Sequence, residues 1–231
     1  MQLFYSQSIG ESILLLENEE HIHCTKTLRH RIGDEIYAID GSGALYLCRI
    51  LEIGKAKTEC VILTVEQKPA PARRIGIAIT PTKNPSRLEW FVEKAVEIGI
   101  SDILIYQSAR AEKKSTNMQR LEKIILSAMK QSGNIHKPGL SYFPQMSQFM
   151  DTLTATYAQV FVGYCEEKAV LFSEVHDKTK DVLVVIGPEG DFTPEEVRSF
   201  TGHGAKTISL GISRLRTETA GLVALTLAQH G

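Results

Sequence analysis

Two short segments carry the residue types from which a site could be built. The first is Gly187-Pro188-Glu189-Gly190-Asp191, directly after the apolar run Leu183–Ile186. The second is Leu210-Gly211-Ile212-Ser213-Arg214-Leu215-Arg216-Thr217-Glu218-Thr219. Glycines let a backbone turn sharply and present its N–H and C=O groups to a ligand. Glu189 and Asp191 suit a cationic or hydroxyl-rich ligand better than a polyphosphate. No Gly-Lys-Ser/Thr closes the first segment, so it is not a P-loop, and it lacks a G-x-G-x-x-G fingerprint. In the second segment Arg214 and Arg216 bracket Leu215, and Glu218 falls where a helix dipole favours a carboxylate. Each segment has a plainer alternative when taken alone. The first could be an ordinary strand-to-helix turn, and the second a surface Arg216–Glu218 ion pair with capping threonines.

The surrounding pattern says what must hold these segments. Leu183–Ile186 is a β-branched run without alternation, which suits a strand buried on both faces. Thr193, Pro194 and Glu196 form a helix start with a capping box. From Arg74 onward strands and helices alternate. Strands are expected at Ile75–Thr80, Ile103–Tyr106, Val160–Tyr164 and Thr207–Leu210, as well as at Leu183–Ile186. Helices are expected from a cap at Ser86 to Gly99, over Met118–Ser132, across Phe143–Thr156, and from a Thr217 cap to Gln229, with Glu174–Lys180 as a connection. Such alternation implies an α/β domain, a mostly parallel sheet with helices on both faces. Ligands bind such sheets at the carboxyl ends of the strands.

Residues 1–68 read differently. Ser12–Leu16, Glu35–Ile39, Ala44–Ile50 and Thr58–Val65 are rich in β-formers, with turns at Gly33-Asp34, Asp40-Gly41-Ser42-Gly43 and Gly54-Lys55. They suggest a small barrel, with a short helix at His23–Arg29. Lys68-Pro69-Ala70-Pro71-Ala72 is the linker, so the expected domains are 1–68 and 73–231.

Composition narrows the class. The 231 residues are 43% hydrophobic and 23% charged, with a net charge of −1, as in an ordinary globular protein and unlike a uniformly basic one. Basic clusters stand at Lys26, Arg29, His30 and Arg31, at Arg73-Arg74, and at Arg110, Lys113, Lys114, Arg120 and Lys123. No membrane span or secretory signal is visible. Cys24, Cys48, Cys60 and Cys165 are scattered without a C-x-x-C pair, which fits reduced thiols in the cytoplasm and gives structural zinc no ligand set.

Together the G-P-E-G segment and the L-G-x-x-x-L-R-T-E-T-A segment resemble the last two motifs of the SPOUT methyltransferases. They resemble in particular the RsmE family, the 16S ribosomal RNA (uracil-N3)-methyltransferases. The resemblance covers nearly the whole chain. Residues 21–43 resemble that family's PUA-like RNA-binding entry, including Leu28-Arg29, Gly33-Asp34 and Asp40-Gly41. Glu93–Ile100 is similar to its K-x-x-E-L-G-V helix, with Lys94 and Glu97 in register. The chain departs from the family pattern at Ala109 within Ser108-Ala109-Arg110, at Lys130 and Asn134, and at Gln2.

The resemblance implies a PUA-like barrel followed by a SPOUT domain with a deep trefoil knot, working as a homodimer on the small ribosomal subunit. It implies S-adenosylmethionine as cofactor and no metal, because the sulfonium itself carries the reactive methyl group. The implied cofactor residues are Gly163, Tyr164, Ile186, Gly187, Pro188, Glu189, Gly190, Leu210, Gly211, Leu215, Arg216 and Thr219. The implied RNA contacts are Lys26, Arg29, Arg31 and Arg110. Loss of the uracil N3 proton leaves negative charge on two carbonyl oxygens, which a guanidinium beside the site would stabilise. Arg216 is assigned that role first and Arg110 second, with Glu218 orienting Arg216 or accepting the proton.

Overall fold

The computed structural model describes residues 2–113, 115–164 and 170–230. Two compact units make up the chain. One comprises the residues up to Ala70 together with Leu126–Lys137, and the other comprises Pro71–Ile125 together with the residues from Pro138 onward.

The first unit is a single six-stranded sheet. Its strands are β1 (Leu3–Tyr5), β2 (Ser8–Ile9), β3 (Ile13–Glu17), β4 (Glu35–Ile39), β5 (Ala44–Ile53) and β6 (Lys57–Gln67), in the spatial order β1-β4-β5-β6-β3-β2. Alternate residues point inward, so Leu14, Leu16, Ile36, Ala38, Cys48, Ile50 and Cys60 build its core with Phe4 and Cys24. Ser6 draws the sheet into a curl. Its N–H donates to Ile39 O at 3.0 Å and its hydroxyl to Leu15 O at 2.7 Å, joining β4 and β3 from opposite sides of β5 and β6. The expected helix at His23–Arg29 lies earlier: α1 (Asn18–Ile22) runs into a wider π-helical turn, His23–Thr27. Arg29, at φ 59°, is in the left-handed region, where a helix cannot continue.

Two departures from the family pattern have structural work in this unit. Lys130 forms an ion pair with Glu20 of α1, whose other oxygen accepts the Tyr5 N–H at 3.2 Å. Gln2 reaches the His23 ring at 3.0 Å.

Cys24, Cys48 and Cys60 are free and fully buried, and burial pushes the thiols up to about 11, 11 and 12 respectively. The thiolate is the reactive form. We therefore expect these three to resist a thiol reagent at pH 8 in the native protein and to react once it is unfolded, which peptide mapping of the labelled chain would check. Cys165 and Lys114 lie outside the described residues.

The second unit is built on seven strands. In chain order its elements are β7 (Ile75–Ile79), α2 (Pro85–Ile98), β8 (Asp102–Tyr106), α3 (Met118–Ser132), β9 (Gly139–Phe143), α4 (Met146–Thr156), β10 (Gln159–Gly163), β11 (Val170–Leu171), α5 (Phe172–Val175), β12 (Val182–Ile186), α6 (Pro194–Gly202), β13 (Lys206–Ser209) and α7 (Thr217–His230). The sheet order is β11-β13-β10-β12-β7-β8-β9, parallel throughout. The end of α3 belongs with the first unit. All five residues of β12 are buried, as its unbroken apolar run requires. On one face Ala78, Leu104, Leu183 and Val185 pack with Phe149 and Leu153 of α4 and Phe200 of α6. The alternate residues Ile77, Ile79, Ile103, Ile105 and Val184 are buried on the other face, where α7 packs on β7 and β12.

The helical reading of Phe143–Thr156 is corrected at its start, because Gly139–Phe143 is an edge strand and the helix begins at Met146. The connection at Glu174–Lys180 likewise begins within a short helix, α5. The cap of α2 is Asn84, whose side chain accepts the Ser86 N–H, with Pro85 at the first helical position. The capping box of α6 has both of its bonds, Thr193 with Glu196. Arg73 and Arg74 serve the fold: Arg73 donates to the carbonyl of Ala228 at the end of α7, and Arg74 grips Asp102 at 2.8 and 3.1 Å.

Helices α2 and α7 meet at Gly221, where an added Cβ would stand 2.6 Å from the Phe91 ring. Phe91 is fully buried and has no room to withdraw. Gly221→Ala should therefore cost about 1–3 kcal/mol of stability, read as a lower denaturant midpoint with an unchanged slope.

Candidate active site

The parallel register brings three strand ends together. Gly163 of β10 pairs with Ile186 of β12 on one side and with Ile208 of β13 on the other. The loops that leave these strands enclose a cavity of about 320 Å³. It is lined by Gly163, Tyr164, Ile186, Gly187, Pro188, Glu189, Leu210, Gly211, Leu215 and Arg216, all of them read from the sequence, and also by Asp191, Ser209, Ser213, Arg214, Thr217 and Ala220. Gly190 and Thr219 do not line it. Asp191, Thr217 and Ala220 come from the turn of the first loop and the first turn of α7, and Ser209, Ser213 and Arg214 from the end of β13 and the loop after it; motif spacing does not say which residues of those segments face the cavity.

The glycines act here in two ways. Gly187 has an ordinary φ, but a Cβ there would come within 2.9 Å of the Phe192 ring, so space requires it. Gly211, at φ 136°, needs the freedom of glycine itself. Between them the turn is closed by the Asp191 N–H on Pro188 O at 3.0 Å, and the left-handed residue is Asp191, at φ 61°.

Thr217 is not the cap expected of it. The first helical bond of α7 runs from the Ala220 N–H to Arg216 O at 2.7 Å, and the Thr217 hydroxyl instead donates to Gly187 O at 3.1 Å. That bond fastens the helix start to the G-P-E-G loop. Arg216 is exposed at the mouth of the cavity, its side chain without a hydrogen bond or ion pair among the described residues.

Glu218 does not orient Arg216, contrary to the sequence reading. It is 7% exposed, and its Oε1 lies 3.6 Å from Nε of Arg87 in the first turn of α2. Its Oε2 is buried without a hydrogen-bond partner among the described residues. In the same unit Thr80 Oγ1 and Glu189 Oε2 are likewise buried without partners among the described residues. Thr80 follows β7, whose Ile79 pairs with Ile186, so Thr80 and Gly187 leave the sheet side by side. Unpartnered buried polar atoms are rare in native folds and call for a ligand, a water or a chemical role. Glu189 Oε1 accepts the Lys83 N–H at 3.2 Å, and Lys83 Nζ pairs with Glu112 at 2.9 Å.

Arg110 lies against the same loop. Its Nη1 donates to Gly190 O at 3.0 Å and to Phe192 O at 3.3 Å, and the residue is exposed. The structure thus brings Arg110, Arg216 and Glu218 to one end of one sheet. Lys26, Arg29 and Arg31 belong to the first unit, where all three are exposed. There the Arg31 N–H and then the His30 ring hold the Asp34 carboxyl below its ordinary range. Among the described residues no helix is long and apolar enough to cross a membrane, and no group of three or more His, Cys, Asp or Glu residues could hold a metal ion.

Two family models match the chain, one after the other. An RNA methyltransferase domain model matches residues 68–229, and an RNA methyltransferase PUA domain model matches residues 16–63. The Ribosomal RNA small subunit methyltransferase E of Bacillus subtilis is 28% identical, over 93% of this chain and 89% of its own. A probable rRNA-methyltransferase from Porphyromonas gingivalis is 37% identical, with a TM-score of 0.89 over 98% of this chain and 96% of that one. The methyltransferase Lpg2936 of Legionella pneumophila, solved with bound cofactor SAM, is 26% identical, with a TM-score of 0.88 over 98% of this chain and 96% of that one.

Proposed function

We propose that this chain, which belongs to the RNA methyltransferase family of the ribosomal RNA small subunit methyltransferase E proteins, methylates N3 of a uridine in 16S ribosomal RNA. The cofactor is S-adenosylmethionine, and the cavity walled by the 163–164, 186–191 and 208–217 loops is its site. The observation that carries this reading is the fit of that cavity to such a ligand. Gly211, with nothing within 4 Å of its Cβ position, leaves backbone open to an adenine, while the unpartnered Oε2 of Glu189 offers an acceptor to a hydroxyl or ammonium group. The cofactor supplies an electrophilic methyl group when bound.

The protein's own residues do the rest. Arg216, free at the cavity mouth, stabilises the uracil anion, and Arg110 steadies the RNA beside the G-P-E-G loop. Glu218 takes the N3 proton on the oxygen that has no protein partner. The exposed Lys26, Arg29 and Arg31 contact phosphates of the structured RNA target from the barrel-like first unit.

The working state in this reading is a homodimer in the cytoplasm, where ribosomal subunits are found. Helix α7 supports it: Leu222, Val223 and Leu227 remain only half-buried, and Trp90 of the neighbouring α2 is 46% exposed. We read the C-terminal segment as knotted, since the chain passes from β13, beside β10, back to α7 against β7 and β12.

The test is methyl transfer from labelled S-adenosylmethionine to small subunits that lack the modification, with the product nucleoside identified. A single N3-methyluridine is the expected product. Methylation of another RNA would redirect the substrate assignment. Cofactor binding with no transfer to any RNA would favour a non-catalytic assembly factor.

A further inference from the structure

The buried carboxylate of Glu196 is used three times over. Its Oε1 accepts both the Ser108 hydroxyl and the Ala109 N–H, each at 2.8 Å. Its Oε2 accepts the Thr193 N–H at 2.8 Å, and its own N–H donates to Thr193 Oγ1 at 3.2 Å. Glu196 is 8% exposed and Ser108 7%. A capping box needs only the Thr193 half of this arrangement. The other half reaches across to a different loop, the one between β8 and α3, and fixes it immediately before Arg110.

Arg110 follows Ser108-Ala109 in a turn closed by the Ala111 N–H on Ser108 O at 3.1 Å. From there its guanidinium meets Gly190 O and Phe192 O, and a Cβ on Gly190 would lie only 3.4 Å from the Arg110 Cβ. The β8–α3 loop is therefore held at two points, to the start of α6 by Glu196 and to the 187–192 loop by Arg110. Pro188, Glu189 and Asp191 of that second loop line the cavity. Side chains locked by such bonds hold a contact group within the narrow range of geometries that catalysis tolerates.

We propose that Glu196 is a positioning residue for methyl transfer: it clamps Ser108 and Ala109 so that Arg110 presents its free N–H groups to the RNA beside the cofactor loop. This rests on the reading of Arg110 as an RNA contact. It also accounts for alanine at position 109, where the position works through its backbone N–H.

Glutamine tests this sharply. Glu196→Gln keeps the shape and one acceptor oxygen, but three donors converge on what were two. Ser108→Ala is the milder companion, because it removes one clamp bond and leaves the helix cap untouched. Transfer to small subunits would be measured for both variants, for Arg110→Ala and for Glu196→Gln/Arg110→Ala, alongside cofactor Kd and Tm. We expect Glu196→Gln to lower kcat/KM for the subunit roughly tenfold, Ser108→Ala to lower it less, and cofactor Kd to stay within about twofold. The double variant should be no worse than Arg110→Ala, because the clamp acts through that arginine.

Losses that multiply in the double variant would overturn the proposal, as would unchanged transfer in both Glu196→Gln and Ser108→Ala. An effect of Glu196→Gln with none from Arg110→Ala would also overturn it, while leaving the methyl-transfer reading intact. Should Glu196→Gln fail to fold, the Ser108→Ala and Ser108→Ala/Arg110→Ala pair decides in the same way. Failure of the wild-type protein to methylate any RNA would instead strike the proposed function itself.

Discussion

Arg216→Ala should bind S-adenosylmethionine nearly as well as the wild type and lose methyl transfer by roughly 10²–10³ in kcat. The position of Arg216 explains both halves of that result. Its carbonyl takes the first helical bond of α7, so the backbone is fixed whatever the side chain. Its guanidinium is exposed at the cavity mouth and engaged with nothing among the described residues, so truncation removes no folding contact. What disappears is a charge waiting for an anion that forms only during the reaction. A loss confined to kcat is the signature of an interaction made in the transition state. Isothermal titration with cofactor and single-turnover transfer to unmodified subunits would separate the two quantities. Unchanged turnover would remove Arg216 from the mechanism.

The second large effect is expected at Glu218. Glu218→Gln should abolish transfer by roughly 10²–10⁴, the range for a lost general base. Shape and burial are retained in this variant, and an amide cannot take the N3 proton from uracil. In the proposed step the N3 proton passes to the carboxylate, the electron pair of the N–H bond stays on nitrogen to bond the methyl carbon, and the methyl–sulfur bond breaks with its electrons left on sulfur. Arg87 is the partner that keeps this carboxylate in place, 3.6 Å from Oε1, and it shares the α2–α7 contact with Gly221 and Phe91. Arg87→Met should therefore lower kcat in part, and Arg87→Lys should restore most of it. A Glu218→Gln enzyme with wild-type kcat and an unaltered melting curve would show that the buried oxygen has another purpose.

How much of this was legible in the chain depended on whether a signal was local. The capping box at Thr193 and Glu196 and the strand Val182–Ile186 are specified within a few residues, and the structure has both. The parallel sheet followed from alternation alone. Gly139–Phe143 escaped because a five-residue edge strand containing glycine and serine has too little apolar pattern to separate it from a loop. The cap of α2 was placed at Ser86 because a serine three residues before a glutamate mimics a capping box, whereas Pro85 at the first helical position selects Asn84. Glu218 was paired with Arg216 because sequence nearness is all a motif offers. In the fold, α2 presents Arg87 from far earlier in the chain. The second use of Glu196 was invisible for the same reason, since Ser108 and Ala109 lie on another loop.

The composition of the first unit has a consequence for how the protein is made. Residues up to Ala70 hold all six strands, yet Leu126–Lys137 belongs to the same unit. That later segment gives the Ile135 carbonyl to the Gly43 N–H, the Lys137 N–H to the Gly41 carbonyl, and Lys130 to Glu20. On a translating ribosome the sheet emerges first and must wait, with its Gly41–Gly43 hairpin and the Glu20 carboxylate unmatched, until the end of α3 has left the exit tunnel. Synthesis at roughly 5–20 residues per second makes that wait a matter of seconds. A nascent chain stalled before Lys137 should be open to proteolysis in a region that the finished protein protects.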